Sequence, residues 1–312
     1  MTVRAYASPD AFKQAVEQRL RTGAQTGPRL RRSRQLLVYE RFLARIVVVF
    51  GDAATLKGGL ALELRLKQAR ATKDVDLRVM GSAQELLTKL QTAGRLDLGD
   101  FMTFEVLQDA EHPELLNDGL KYDGLRFRVE GKLASKIYGD PFGTDVVLGE
   151  PMFGEPDLVT ADDLLAFAGL PPPTLRVYPI ETHIAEKLHA YTLPRARPNT
   201  RVKDLPDLAL LATAQPIDAR RLRSALEQTF AFRDTHALPA QLPEPLAIWT
   251  NPYAAMAREN QLAWPTLAEV TESARQFLDP VLTAGLDATW EPPRWRWQLS
   301  GSEQRANIPR SP

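Results

Sequence analysis

The six residues Asp74-Val75-Asp76-Leu77-Arg78-Val79 constrain this chain more than any other segment. Charged and apolar side chains alternate with the two-residue period of a β-strand that is buried on one face. Val75, Leu77 and Val79 then point into a core, and Asp74 and Asp76 point together to the other side. Same-face neighbours on a strand lie about 6.5–7 Å apart. Two carboxylates at that distance disfavour each other's ionisation. A hard divalent cation relieves the conflict, because carboxylate oxygens ligate such ions well. A solvated strand edge balanced by Lys73 and Arg78 is the competing reading, and the Asp-x-Asp spacing alone leaves both open.

The residues upstream narrow the choice. Lys57-Gly58-Gly59 precedes a segment, Leu60 to Gln68, whose leucines alternate like a strand. Its Leu, Ala, Glu, Arg and Lys composition lacks β-branching and favours a helix. Gly58 and Gly59 at that helix start allow a phosphate to approach free backbone amides; a plain turn is the other meaning of two glycines. The order is therefore glycine turn, helix, loop with Arg70 and Thr72, then the strand with two aspartates.

Elsewhere, helical periodicity covers Pro9–Arg21, Leu30–Val48 and Gln84–Thr92. Strands are expected over Phe101–Leu107, around Leu125-Phe127-Val129, over Thr144–Leu148 and over Leu175–Tyr178. Gly169 and the stiff Pro171-Pro172-Pro173 mark a candidate boundary. The expected domains are residues 1–170, with a small mixed sheet flanked by helices, and 171–298, mainly α-helical, with 299–312 a disordered tail. The fold class is α/β (α+β). Helices are expected over Ile180–Thr192, Leu205–Thr213, Ala219–Phe230 and Thr266–Leu278.

The helix Ile180–Thr192 carries its own signal. At about 100° per residue, Ile180, Ile184, Leu188 and Tyr191 form one apolar stripe, and Lys187 falls inside it. His189 points to the opposite side. An inward lysine is costly unless it meets an anion or snorkels to water. A triphosphate would serve, and so would Glu186 or Glu130. Asp204, before Leu205-Pro206-Asp207, has the chemistry of a helix N-cap. Arg201 and Lys203 suit phosphates or are ordinary loop charges. Arg294-Trp295-Arg296-Trp297 suits either base stacking or packing of a chain end on its own domain.

Composition excludes several classes. There is no cysteine, so disulfides and thiolate zinc sites are out. The longest apolar stretch, Ile46–Phe50, is far too short for a membrane span, and the N-terminus lacks an apolar signal core. A cytoplasmic protein with no membrane partner is expected. Net charge is zero over 312 residues. Basic residues gather in 1–34 and at Arg195, Arg197, Arg201 and Lys203, as on a polyanion-binding surface or a solvated face.

Two blocks resemble a known family. Lys57-Gly58-Gly59-Leu60-Ala61-Leu62 with Arg70-Ala71-Thr72-Lys73-Asp74-Val75-Asp76-Leu77 is similar to the first motif of AbiEii/AbiGii toxin nucleotidyltransferases, a group that includes the mycobacterial MenT proteins. Tyr178-Pro179-Ile180-Glu181-Thr182-His183-Ile184-Ala185-Glu186-Lys187-Leu188-His189-Ala190 with Arg201-Val202-Lys203-Asp204-Leu205-Pro206-Asp207-Leu208 resembles a second motif. The similarity runs over about residues 30–280. It implies the polymerase-β-type nucleotidyltransferase fold. It implies that Asp74 and Asp76 hold Mg²⁺ and an NTP, that Asp145 completes the set, and that Lys187 contacts phosphates. The late acidic position falls on Asp204 or Asp207. Nucleotide-binding roles fall on Gly58, Gly59, Arg70, Thr72, Lys187, Arg201 and Lys203. The implied acceptor is the 3′ end of tRNA, and the implied partner is a cognate antitoxin; a protein acceptor or a non-catalytic nucleotide-binding module are the rivals. Pro206 departs from the family's bulkier residue, which bears on where its helix starts.

Overall fold

The structure, a computed structural model, describes residues 6–23, 27–66, 71–114, 124–195, 199, 201–283 and 285–300. It divides into two compact units. The first comprises Met1–Leu64, Ala71–Pro151 and Pro156–Tyr178, and the second Arg65–Arg70, Met152–Glu155 and Pro179–Pro312. The proline run at 171–173 lies inside the first unit and leads into a strand of its sheet.

In the first unit, helices α1 (Pro9–Gly23) and α2 (Gly27–Phe50) precede β1 (Ala54–Lys57), α3 (Gly58–Arg65), β2 (Asp74–Val79) and α4 (Ala83–Arg95). Strands β3 (Met102–Gln108), β4 (Gly124–Leu133), β5 (Lys136–Ile137), β6 (Phe142–Leu148), β7 (Asp157–Thr160) and β8 (Thr174–Val177) follow. The leucine-rich stretch after Gly59 is helical, as its composition favours. The sheet has eight strands in the order β3-β4-β6-β2-β1-β8-β7, with β5 added on β4. It is mixed: β2 runs parallel to β6 and β1 parallel to β8, and the other pairs are antiparallel. It is larger than the small sheet expected. Four of its strands, β1, β5, β7 and β8, have only two to four residues, too short for periodicity to announce most of them.

One face of this sheet builds the core. Val75, Leu77, Val79, Phe104, Val106, Phe127, Val129 and Val146 are buried on it with Phe42 of α2 and Leu86 and Leu90 of α4. Phe42 meets Phe104 and Phe142 at ring separations of 5.4 and 5.5 Å. Each such apolar side chain contributes about 1.5–3 kcal/mol on full burial. Because side chains alternate, this packing forces Asp74, Asp76, Asp145 and Arg126 to the opposite face.

The second unit holds α5 (Ile180–Thr192), α6 (Asp204–Leu211), β9 (Ile217–Asp218), α7 (Ala219–Arg233), α8 (Thr250–Asn260), α9 (Leu267–Leu282), β10 (Ala288–Glu291) and β11 (Arg296–Leu299). It is mainly helical, but β11, β10 and β9 form a three-stranded sheet that sequence periodicity did not suggest. Helix α5 is covered on both sides. His189, expected to face away from the apolar stripe, is buried against Phe230 of α7 at 5.0 Å and His236 at 4.8 Å. Burial and the neighbouring Arg233 push His189 down to about 3. Helix α9 opens with a reciprocal capping box between Thr266 and Glu269.

Strand structure extends to Leu299, the first residue of the expected tail. Leu299 closes β11 and pairs with Ala288; residues 301–312 lie outside the described residues. The Trp297 ring stacks on Phe277 at 5.7 Å, and its indole N–H donates to the Phe277 carbonyl at 2.9 Å. Trp295 lies edge-on to Trp290 at 5.2 Å. These tryptophans pack their own unit. Among the described residues, no helix is long and apolar enough to cross a membrane.

Candidate functional site

The aspartates of β2 sit in a charged row across the first unit's sheet. Asp76 pairs in register with Lys57 of β1 on one side and with Asp145 of β6 on the other. Asp145 pairs in turn with Arg126 of β4. Directly paired residues share a face, so the row reads Lys57, Asp76, Asp145, Arg126. Asp74, two residues before Asp76, is exposed on the same face, opposite Gly143. That glycine gives Asp74 room, since a Cβ there would stand 2.8 Å from its carboxylate oxygen.

Gly58 has a specific reason to be glycine. Its φ is +68°, and a methyl group on it would overlap the Asp76 carboxylate, coming within 2.6 Å of Cγ. The backbone at the start of α3 thus comes up against Asp76. Buried Gly59 follows in the same turn. Gly58→Ala is expected to lower the melting temperature by more than Gly51→Ala. Gly51 has a similar φ of +52° with open space around it. Left-handed strain costs roughly 1–3 kcal/mol in either variant; only the first adds a clash. Equal losses in the two variants would show that Asp76 does not confine this turn.

Behind Asp76 stands a cluster that sequence reading missed. Glu150 is 2% exposed and forms an ion pair with Lys57. The Tyr178 hydroxyl donates to the same carboxylate at 2.7 Å, and the Lys57 ammonium lies 4.8 Å from the Tyr178 ring centre. Arg78 donates to the Glu150 carbonyl. The only sequence signal was Lys57 abutting the two glycines; Glu150 is brought in over a separation of 93 residues.

Asp145 is fully engaged. Arg126 donates to its two oxygens through Nε and Nη2, each at 2.7 Å. These bonds raise the Arg126 guanidinium above its ordinary value. Asp74 and Asp76 suit a hard divalent cation, having carboxylate oxygens on one face of one strand. Among the described residues, no three His, Asp or Glu side chains are gathered to hold an ion. Asp145, the expected third donor, is turned to Arg126 instead.

Thr72 is buried and held through its backbone. Its N–H donates to Glu63 at 3.2 Å, and its carbonyl accepts from Arg32 at 2.7 Å. Arg32 and Glu63 are themselves paired. The loop before β2 is thereby fixed to α2 and α3. Arg70 lies outside the described residues.

The second unit brings together Lys187, Asp204, Asp207 and Arg201. The Lys187 ammonium donates to Asp207 at 2.7 Å and to Asp204 at 3.2 Å. Both aspartates are buried, Asp207 completely. Arg201 is also paired with Asp204. The inward lysine therefore meets the carboxylates of Asp204 and Asp207, whereas the sequence alone offers Glu186 or Glu130. Glu186 pairs with Arg233 at 3.1 Å. Asp204 is not a helix cap; α6 starts on it, Lys203 precedes it without a side-chain cap, and its carboxylate serves Lys187 and Arg201. Pro206 sits in the first turn, where a missing N–H is harmless. Lys203 is exposed, Arg195 half-buried, and Arg197 outside the described residues.

Comparison with known proteins adds the family. The family model described as "Nucleotidyl transferase AbiEii toxin, Type IV TA system" matches residues 41–299. Among solved structures, the nucleotidyltransferase toxin MenT4 from Mycobacterium tuberculosis aligns at 16% identity over 86% of this chain and 97% of that one, with a TM-score of 0.49. A putative nucleotidyltransferase from H. pylori aligns at 16% identity over 80% of this chain and 93% of that one, with a TM-score of 0.42. No curated protein matches the sequence significantly.

Proposed function

Because the chain belongs to the AbiEii nucleotidyltransferase toxin family of type IV toxin–antitoxin systems, we propose that it transfers a nucleoside monophosphate from an NTP to the 3′ end of tRNA. That transfer blocks translation in the cytoplasm, and a cognate antitoxin restrains it. The observation that carries the catalytic reading is the common face shared by Asp74, Asp76 and Asp145 on two adjacent parallel strands.

A magnesium ion held by Asp74 and Asp76, with Asp145 as a further donor, would supply charge neutralisation on the phosphates. Alternatively Asp145, once released from Arg126, accepts the proton of the attacking hydroxyl. Gly58 and Gly59 present backbone amides at the start of α3 to the NTP. Thr72 fixes the approach to β2, and Arg70 adds positive charge. Lys187 meets phosphate oxygens and stabilises pyrophosphate as it leaves. Asp204 and Asp207 hold its ammonium ready, and Arg201 and Lys203 extend that positive surface.

Incubation with each of the four α-labelled NTPs, total RNA and cell protein tests this reading. Label is expected on tRNA, with one NTP preferred. Label on protein alone replaces the acceptor and keeps the chemistry. No label under any condition, with growth inhibition intact in a host, makes the chain a binding module.

A further inference from the structure

The bidentate pair between Arg126 and Asp145 stands where the proposed chemistry needs an open carboxylate. Its two hydrogen bonds are each 2.7 Å and occupy both oxygens of Asp145. The pair is not a buried structural tie: the side chains are 39% and 20% exposed. The most buried guanidinium–carboxylate contact of this unit looks different, while the bidentate Arg34–Glu17 pair is 29% and 15% exposed. Arg45 and Asp100 are both wholly buried, and Arg45 also donates to three carbonyls. Among the described residues, Nε and Nη2 of Arg126 both donate to Asp145. Asp145 in turn is the in-register neighbour of Asp76 across a strand spacing of about 4.8 Å.

We infer that Arg126 is a substrate-binding residue that waits on Asp145: it occupies that carboxylate in the resting chain and passes to a nucleotide phosphate when Asp145 turns to a divalent cation. The inference rests on the function proposed above and names a residue outside the family-derived set. Charge argues for the exchange. Asp74, Asp76 and Asp145 would repel one another on one sheet face, and the guanidinium offsets part of that repulsion. A divalent cation on the same carboxylates makes the guanidinium redundant there. Arg126 then sits one strand beyond Asp145, with a planar fork suited to phosphate as well as to carboxylate. The pair is partly exposed, so water can take over its hydrogen bonds as it opens.

The test measures Mn²⁺ binding to the full-length chain without nucleotide, and then MgATP, MgGTP, MgCTP and MgUTP binding, for wild type, Arg126→Ala and Arg126→Lys. Arg126→Ala is expected to bind Mn²⁺ about fivefold more tightly, since it removes the guanidinium that competes for Asp145. The same variant is expected to bind the preferred nucleotide about tenfold more weakly. Arg126→Lys, which keeps the charge but loses the fork, should fall between. In an Asp145→Asn background, Arg126→Ala should no longer change Mn²⁺ affinity. Melting temperatures within a few degrees of wild type establish that each variant is folded; if Arg126→Ala is not, the Lys variant and the Asp145→Asn background carry the comparison. Unchanged or weaker Mn²⁺ binding in the Arg126 variants, with transfer still abolished by Asp76→Asn, overturns the exchange and leaves the transferase reading standing. A wild-type chain that binds no Mn²⁺ overturns both.

Discussion

Asp76→Asn is expected to lower nucleotidyl transfer by at least about 10³-fold while leaving the fold intact. The substitution keeps the volume and shape of the side chain and removes one negative charge and one anionic oxygen donor. Loss of several kcal/mol of charge stabilisation on the reacting phosphates corresponds to that factor, at 1.36 kcal/mol per tenfold. Stability should hold. Asp76 stands in register between Lys57 and Asp145 and on the same face as Asp74, so the repulsion relieved from the two aspartates is set against attraction lost to Lys57. Its backbone stays paired on both sides, with Lys57 and with Asp145. Single-turnover transfer of labelled NTP and a melting curve on the same preparation check both halves. Activity within tenfold of wild type would remove Asp76 from the chemistry. Unchanged growth inhibition in a host would point to toxicity without catalysis.

How much of this was readable beforehand follows from the range of each interaction. The β2 segment was legible to the residue because alternation is local: Val75, Leu77 and Val79 are at most 3% exposed, as their spacing requires. The inward position of Lys187 was legible for the same reason, since helical periodicity sets faces. Its partners were not, because Asp204 and Asp207 come from another helix and the sequence contains other carboxylates closer by. Sequence spacing was silent on Arg126 and Asp145, which meet only through the β4–β6 register. The same holds for the Lys57, Glu150 and Tyr178 cluster. The second unit's small sheet escaped because β9 has two residues and β10 and β11 four each. Trp290, Trp295 and Trp297 were visible as aromatics, but their packing roles depend on which strand lies beside α9.

Arg45→Met is expected to give the largest loss of stability in the first unit, about 3–5 kcal/mol. All five N–H donors of a guanidinium have partners at this position. Nε donates to the Leu96 carbonyl, Nη1 to the Arg41 carbonyl and Asp100, and Nη2 to Asp100 and the Met102 carbonyl, at 2.6–3.0 Å. Asp100 also accepts from Arg41 at 2.7 Å and from the Met102 N–H at 3.0 Å. Burial alone would raise the Asp100 carboxyl, but the hydrogen bonds and charges of Arg45 and Arg41 outweigh it and hold it below the usual carboxylate range. Methionine fills the space, yet it leaves a buried carboxylate with one cation and three carbonyls without this donor. At roughly 2–4 °C per kcal/mol for a domain of this size, the melting temperature should fall by about 10 °C or more. The sign with pH is fixed by the lowered carboxyl. The stability it contributes is complete above its unfolded value of about 3.9 and is lost as pH falls through the lower folded value. In Arg45→Met burial dominates, the carboxyl rises, and protonation relieves the buried charge. The gap between the two proteins should therefore narrow as pH drops below neutrality toward 4 and beyond. Replacing both partners, as in Arg45→Met with Asp100→Leu, should recover part of the loss, since a well-packed apolar pair is often as stable as a buried ion pair. Denaturant melts of the two variants across pH check this. A gap that stays constant or widens in acid would mean that Asp100 is not what Arg45 holds in place, and that the ties from α2 to Leu96 and Met102 carry the helix layer on the sheet.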